Sequence, residues 1–494
     1  MVRTFFALCL LLAAGLCSAE TGTGSSAKQT LRELTETTPC RLGGDAAPYT
    51  VRATCRYMLV PEDRSKPDSP MIKLAIAWIP AETADPEPDP FIYVAGGPGQ
   101  SALESYPNLH HALAGVRAKR NTVLMDQRGT GDSNALHCDS AMWTDPSLTG
   151  ELSPAQAQAM VTSCVSSLSS RADLRHYTTT EAVADLEDLR LALQLPAWNM
   201  LGVSYGTRVL QQFAKTYPNS VRSLILDGVV PNEVNLGNDH ARFLDAALDG
   251  YFERCKQQAH CAKLDRREIA SLLQDLKQNP RKVRFRHAIT GKWQENVFHN
   301  EHLSLLLRLF SYRPDTAALL PALVAQAKRG EFDTLAALAY MQGSDLSKQM
   351  AMGMSLSVSC SEDADKLQTH DIDQYSILGE EFAAHLKQLC QYWPKGNKPD
   401  EFNEPLKTSV PALVLSGEND PVTPPVYGAQ VAAQLPNSRH VVAPGQGHFV
   451  SIAGCMPQII TEFIDHKNVN ELDTNCLDRL YPLPLAVDLY GPNP

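Results

Sequence analysis

The sequence predicts a doubly wound, mostly parallel α/β sheet interrupted by a helical insertion, and three observations carry that expectation. Five short apolar runs, "FIYVAGG", "NTVLMDQRG", "WNMLGVS", "SLILDGVV" and "PALVLSGEND", end in Gly, Asp or Ser and stand far enough apart for intervening helices. Their apolarity is continuous rather than alternating, which suits strands covered on both faces and joined by crossovers. Between Val230 and Val410 the rhythm stops and long amphipathic patterns replace it.

The elements follow in order. "MVRTFFALCLLLAAGLCSAET" places Arg3 before an apolar run that ends in small residues at Ala19. That is the pattern of an export signal over 1–19, and the run is short of the about 20 apolar residues a membrane span needs. Leucine before both Cys9 and Cys17 speaks against lipoprotein processing. Residues 20 to about 38, rich in Thr, Ser and Lys, read as loose chain. "YTVRATCRYMLV" and "MIKLAIAWIPA" read as a strand pair, and the Pro-rich connector Asp85 to Pro90 leads into the first apolar run. "TTTEAVADLEDLRLALQL" reads as a helix, with Thr178 and Glu181 at capping-box spacing, Val183, Leu186, Leu189 and Leu193 at helical period, and Pro196 closing it. "ARFLDAALDGYFERCKQQ" and "HLSLLLRLFSY" are amphipathic, and the region around them has little strand character. The expected organisation is a sheet domain over 38–231 and 406–480 with a helical cap inserted at 232–405. Such a cap sits over the carboxyl ends of the strands, where open α/β sheets bind ligands.

Composition narrows the function classes. The chain of 494 residues is 44% hydrophobic with a net charge of -11, and no basic patch stands out in it. Nucleic acid and an anionic membrane surface are therefore not expected as main partners. Without the leader, ten cysteines remain: Cys40, Cys55, Cys138, Cys164, Cys255, Cys261, Cys360, Cys390, Cys455 and Cys476. An even number in an exported chain suggests disulfides, and joining neighbours closes short loops of 6 to 30 residues. No C-x-x-C or Cys/His cluster stands at zinc spacing, so no metal or other cofactor is expected.

The chemistry gathers at "WNMLGVSYGTRVL". A bare G-x-S-x-G is a frequent accident, but Gly202 to Gly206 follows an apolar run and precedes a helical pattern, the setting that lifts a serine above the sheet on a tight turn. A free hydroxyl is a poor nucleophile at neutral pH, so Ser204 needs a base and an orienting acid. Asp420, in the loop after "PALVLSGEN", and His448, in the glycine-bordered loop "GQGHF", supply them in the chain order Ser, Asp, His. Glu418 is the rival acid but lies less far into the loop. The developing oxyanion needs donors: the backbone N–H of Tyr205 is one, and Gly97 is the expected second, since Pro98 has no N–H.

"AGGPGQS" at 95–101, "DQRGTGDS" at 126–133, "GVSYGTR" at 202–208, "SGENDPVTPP" at 416–425 and "GQGHF" at 445–449 together resemble the proline iminopeptidase and tripeptidyl aminopeptidase group of α/β-hydrolases, the S33 serine peptidases. The likeness runs over about 38–480 and includes "FERCKQQAHCA" in the cap and "SVSCSED" at 357–363. It implies an α/β-hydrolase fold and an exported, periplasmic or secreted serine aminopeptidase acting on peptides with a free N-terminus. One departure is Ala95, where the group often has histidine. Asp126 and Arg128 are expected to form a structural ion pair shaping the oxyanion loop. A substrate ammonium requires a carboxylate partner, and Glu362, with Asp363, is the expected anchor. An esterase or amidase with the same triad is the alternative, and a non-catalytic binding protein on the same scaffold a remote one.

Overall fold

The computed structural model describes residues 32–43, 49–138, 153–256, 265–287, 290–368 and 372–486. The leader expected at 1–19 lies outside them. The sheet strands are β1 (Thr38–Leu42), β2 (Val51–Pro61), β3 (Met71–Ile79), β4 (Phe91–Val94), β5 (Thr122–Met125), β6 (Trp198–Val203) and β7 (Val221–Asp227). After them come β8 (Arg281–Arg286), β9 (Trp293–Phe298), β10 (Ala412–Gly417) and β11 (Ser438–Ala443). Among the described residues nine strands form one sheet in the order β1-β2-β3-β5-β4-β6-β7-β10-β11. Strands β1 to β3 are an antiparallel meander, β3 meets β5 antiparallel, and the pairings β5-β4, β4-β6, β6-β7, β7-β10 and β10-β11 are parallel.

The continuous apolar runs are explained by two cores. Ile92, Met200, Leu224 and Val414 face one hydrophobic cluster, which includes Val209 and Phe213 of the helix after β6. Their neighbours Phe91, Leu201, Ile225 and Leu413 face the other, which includes Ile460 and Phe463 of the helix Met456–His466. Period-two strands covered on both sides must be apolar at every position. The carboxyl ends of the parallel strands consequently all open on the same edge.

Three local expectations are corrected. Within the stretch expected to be loose, Leu34 bridges Met58 and the Thr35 amide donates to the Tyr57 carbonyl at 2.9 Å, ahead of β1, which pairs from Thr38↔Cys55 to Leu42↔Val51. The helix Thr179–Ala192 starts at Thr178, but no side-chain capping bond forms there, because the Glu181 carboxylate lies 3.1 Å from Arg64 and 3.5 Å from Arg128 instead. The insertion does contain strands: β8 and β9 form an antiparallel hairpin, with Val283 and Phe285 turned inward. Its outer face exposes Lys282, Arg284 and Arg286, with two of these guanidiniums within 4.8 Å of the Trp293 ring centroid. This is a local basic strip on an acidic chain.

Between β7 and β10 two packing environments occur. Leu244, Tyr251, Leu276, Phe285, Phe298, Leu307 and Phe332 build a core of their own. The helix Met352–Glu362, by contrast, places Met354, Leu356, Val358 and Cys360 in the same cluster as Tyr177 and Tyr205. Among the described residues four disulfides join neighbouring cysteines: Cys40–Cys55, Cys138–Cys164, Cys360–Cys390 and Cys455–Cys476. Cys261, expected to pair with Cys255, lies outside the described residues. Among the described residues no helix is long and apolar enough to cross a membrane.

Candidate active site

The turn after β6 holds Ser204 at φ 55° and ψ -124°, a conformation that L side chains rarely adopt. Such backbone strain is tolerated only where surrounding contacts fix it. The flanking glycines allow it. A Cβ on Gly202 would stand 2.6 Å from the Gly206 carbonyl oxygen, and one on Gly206 would collide with the Val94 carbonyl oxygen. The Ser204 amide donates to the Asp227 carbonyl at 2.9 Å, and the Thr207 hydroxyl donates to the Ser204 carbonyl at 2.6 Å.

Asp420 and His448 are brought together. Nδ1 of His448 lies 2.8 Å from Oδ2 of Asp420, with the carboxylate fully buried and the imidazole 9% exposed. Asp420 also accepts the amides of Val422 at 2.9 Å and Thr423 at 2.8 Å. The Thr423 hydroxyl donates to Oδ2 at 2.8 Å and lies 3.1 Å from Nδ1. The rival Glu418 is occupied elsewhere, accepting the Gly445 amide at 2.7 Å. Burial opposes the charge on both Asp420 and His448, but their mutual attraction and hydrogen bond outweigh it. Asp420 is held below the usual carboxylate range and His448 above the usual imidazole value.

Among the described residues no hydrogen bond joins the Ser204 hydroxyl to the imidazole. Both nevertheless converge on Asp227 and Gly228: the Ser204 amide on the Asp227 carbonyl, and the imidazole against Gly228, where a Cβ would stand 3.0 Å from Cε1. With Nδ1 turned to Asp420, Nε2 is the nitrogen left for a proton transfer. Nucleophile–base hydrogen bonds are commonly long in a substrate-free site.

The loop after β4 abuts the elbow. A Cβ on Gly96 would lie 2.7 Å from the Val203 carbonyl oxygen and 3.0 Å from Ser204 Cβ, and Gly97 adopts φ 107°. Tyr205 opens its helix, so its amide has no partner within the helix. At Ala95 the backbone carbonyl is supported by Gln127, whose Nε2 donates at 3.3 Å. Asp126 and Arg128 do not pair, which corrects the expectation. The two residues leave the strand in different directions. Asp126 accepts Ser101 Oγ at 2.7 Å, the Leu103 amide at 3.0 Å and the Asp132 amide at 3.1 Å, tying down the segment after Gly99. Arg128 forms a buried fork with Asp185, at 2.7 Å through both Nε and Nη2.

Glu362 and Asp363 have different surroundings. Glu362, 2% exposed, accepts the Thr179 amide at 2.7 Å and the Thr179 hydroxyl at 2.8 Å, and that hydroxyl also lies 2.7 Å from the Tyr205 phenol oxygen. Burial pushes the Glu362 carboxyl up to about 7 against the pull of Arg208. Asp363 has both oxygens on Arg208, at 2.9 and 3.0 Å, with both side chains fully buried. Asp363 is thus committed to the fold, and the part of the anchor expectation that rested on it is withdrawn.

Sequence reading passed over three residues of the site. Asp227 ends the strand run "SLILDGVV". Thr423 stands three residues beyond Asp420 in a turn. Tyr312, from the insertion, accepts the His448 amide on its carbonyl at 2.8 Å and sets its ring edge-on to the imidazole, centroids 5.1 Å apart. Nothing in the sequence around Tyr312 signals that contact.

A strained serine at a strand–helix elbow beside a buried Asp–His pair, at the carboxyl edge of a parallel sheet, defines a class of hydrolase scaffold. The chain belongs to the alpha/beta hydrolase fold family, whose model matches residues 89–454. The likeness extends to peptidases. Serine protease Hip1 of Mycobacterium tuberculosis is 26% identical over 484 residues, 90% of this chain and 91% of that protein. The tripeptidyl aminopeptidase of Streptomyces lividans is 31% identical over 189 residues, 36% of this chain and 35% of that one. Among solved structures, the proline iminopeptidase of Mycobacterium smegmatis superposes with a TM-score of 0.44 at 15% identity, covering 83% of this chain and 98% of that one.

Proposed function

We propose that the protein is an exported serine aminopeptidase. The observation that carries the reading is the 2.8 Å contact between Asp420 and His448 beside the positive-φ turn of Ser204. In this reading Ser204 attacks the scissile carbonyl, and His448 takes the hydroxyl proton on Nε2 and returns it to the leaving amine. Asp420 holds the imidazole and stabilises its charged form. The amides of Tyr205 and Gly97 receive the tetrahedral oxyanion, and water then releases the acyl group by the same proton path.

The peptide class is supported by the names of the relatives, and export by the N-terminal leader pattern together with the neighbour-paired cysteines. Glu362 is the proposed partner of the substrate ammonium. A carboxylate offers about four acceptor positions, and Thr179 fills two of them. The Thr179 hydroxyl bridges Glu362 to the ring of Tyr205, the residue whose amide follows the nucleophile.

A serine-directed fluorophosphonate should label the protein and fail on Ser204→Ala. A peptide anilide with a free N-terminus should be cleaved, and its acetylated form should not. Equal rates on the two would replace the aminopeptidase with an esterase or amidase on the same triad. Absence of labelling would leave a binding protein on a hydrolase scaffold.

A further inference from the structure

The insertion brings a guanidinium without an acidic partner close to the His448 side of the site. Arg308 lies in the last turn of the helix Asn300–Phe310 and is half-buried. Its guanidinium carbon stands 4.6 Å from the Phe382 ring centroid, and among the described residues no Asp or Glu pairs with it. His240 packs against the same phenyl ring, centroids 5.4 Å apart, and its Nδ1 is buried without a hydrogen-bond partner. Four residues beyond Arg308, Tyr312 touches His448 through its carbonyl and its ring. Tyr312 lies in the turn that follows the helix end, its amide on the Leu309 carbonyl at 3.3 Å, so Arg308 precedes the contact with His448 by one turn of chain. Burial, helped by the charges of Arg308 and His448, pushes the His240 imidazole down to about 3, so it stays neutral.

The side of the site is fixed by the chemistry. The leaving amine must come within hydrogen-bond reach of His448 to receive its proton, so the groups around His448 face the departing fragment rather than the acyl half. A half-buried cation with no partner is costly, and a planar guanidinium matches a carboxylate with two parallel hydrogen bonds. An extended peptide advances about 3.5 Å per residue, so a carboxylate one or two residues past the scissile bond lies about 3.5 to 7 Å beyond it.

We propose that Arg308, flanked by His240 and Phe382, is a carboxylate-binding subsite for the leaving fragment. The carboxylate is either the C-terminus of a short peptide or an acidic side chain just beyond the cleaved bond. The proposal rests on the peptidase reading of the site and deepens it. With Glu362 at the amine end and Arg308 at the carboxylate end, the preferred substrates are short peptides carrying both charges.

The test uses three free-amine peptides of one neutral sequence: a C-terminal acid, its C-terminal amide, and the amide with Glu placed after the cleaved bond. Products are read by mass spectrometry. The wild-type protein should favour a carboxylate-bearing peptide over the neutral amide by about ten-fold in kcat/KM. The arm that gains identifies the source of the carboxylate. Arg308→Gln should bring that ratio near one, and Arg308→Lys should keep part of it. A wild-type ratio near one in both arms, or a ratio unchanged by Arg308→Gln, overturns the subsite and leaves the peptidase reading standing. No cleavage of any of the three overturns both.

Discussion

The Asp227 carboxylate accepts the Ser451 hydroxyl at 2.5 Å and the Ser451 amide at 2.8 Å, while the carbonyl of the same aspartate accepts the Ser204 amide at 2.9 Å. The Val450 amide, at 3.0 Å from both carboxylate oxygens, completes the set. One fully buried residue at the end of β7 thus joins the serine elbow to the loop that carries His448. Asp227→Asn would turn an amide N–H toward at least the Val450 amide, and a buried unmade bond costs about 1–3 kcal/mol. The expected outcome is a kcat lowered by more than about ten-fold with KM little changed, because the register of nucleophile and base is disturbed while the cleft is not. Steady-state kinetics on one peptide substrate, with a melting curve beside it, checks this. An unchanged kcat would remove Asp227 from the positioning of the site.

The pH profile follows from the Asp420–His448 pair. Burial works against the imidazolium, but the carboxylate outweighs it and raises His448 above its ordinary value. A general base must be neutral, so the acid limb of kcat/KM should lie above about 6.5. Asp420→Asn should move that limb to lower pH and reduce kcat by about 10⁴. The same shift makes a stability statement. His448 binds its proton more tightly folded than unfolded, so its stabilising contribution is full below the unfolded value and is lost as pH rises through the folded one.

Thr423→Val tests the hydroxyl that touches both members of that pair. Removing it leaves Asp420 without one of its donors, and kcat should fall by about ten-fold. Thr423→Ser, which keeps the hydroxyl, should recover most of the rate. Loss in Thr423→Ser with none in Thr423→Val would point to packing of the methyl group instead.

Glu362 and Asp363 should separate cleanly. Asp363→Asn strips the buried Arg208 of its partner, and breaking a buried pair costs about 3–5 kcal/mol, so its melting temperature should drop by several degrees. Glu362→Gln should hold its fold and lose the preference for a free over an acetylated N-terminus. Glu362 keeps its proton to about 7 in the folded chain, against 4.5 for the free side chain. The folded state therefore binds more protons across that window, and this group's contribution to stability falls as pH rises from about 4.5 to about 7 and is level above it. The difference in melting temperature between wild type and Glu362→Gln, followed against pH, should show that slope. A flat difference would mean an ordinary, solvated carboxylate.

The sequence by itself determined the local features: the continuous apolar strands, the elbow at Ser204, the Gly97 loop, and the loops bearing Asp420 and His448. Each depends on side-chain period or on backbone freedom within a few residues, which neighbouring residues specify. Only the tertiary structure decided which charges meet. Arg128 takes Asp185 rather than Asp126, Glu181 lies against Arg64 and Arg128 rather than capping its own helix, and Asp363 closes on Arg208. The contact of Tyr312 with His448 crosses 136 residues of chain. Pairing of buried charges depends on distance in space and on competition among all partners within reach, and neither is encoded in the spacing of residues along the chain.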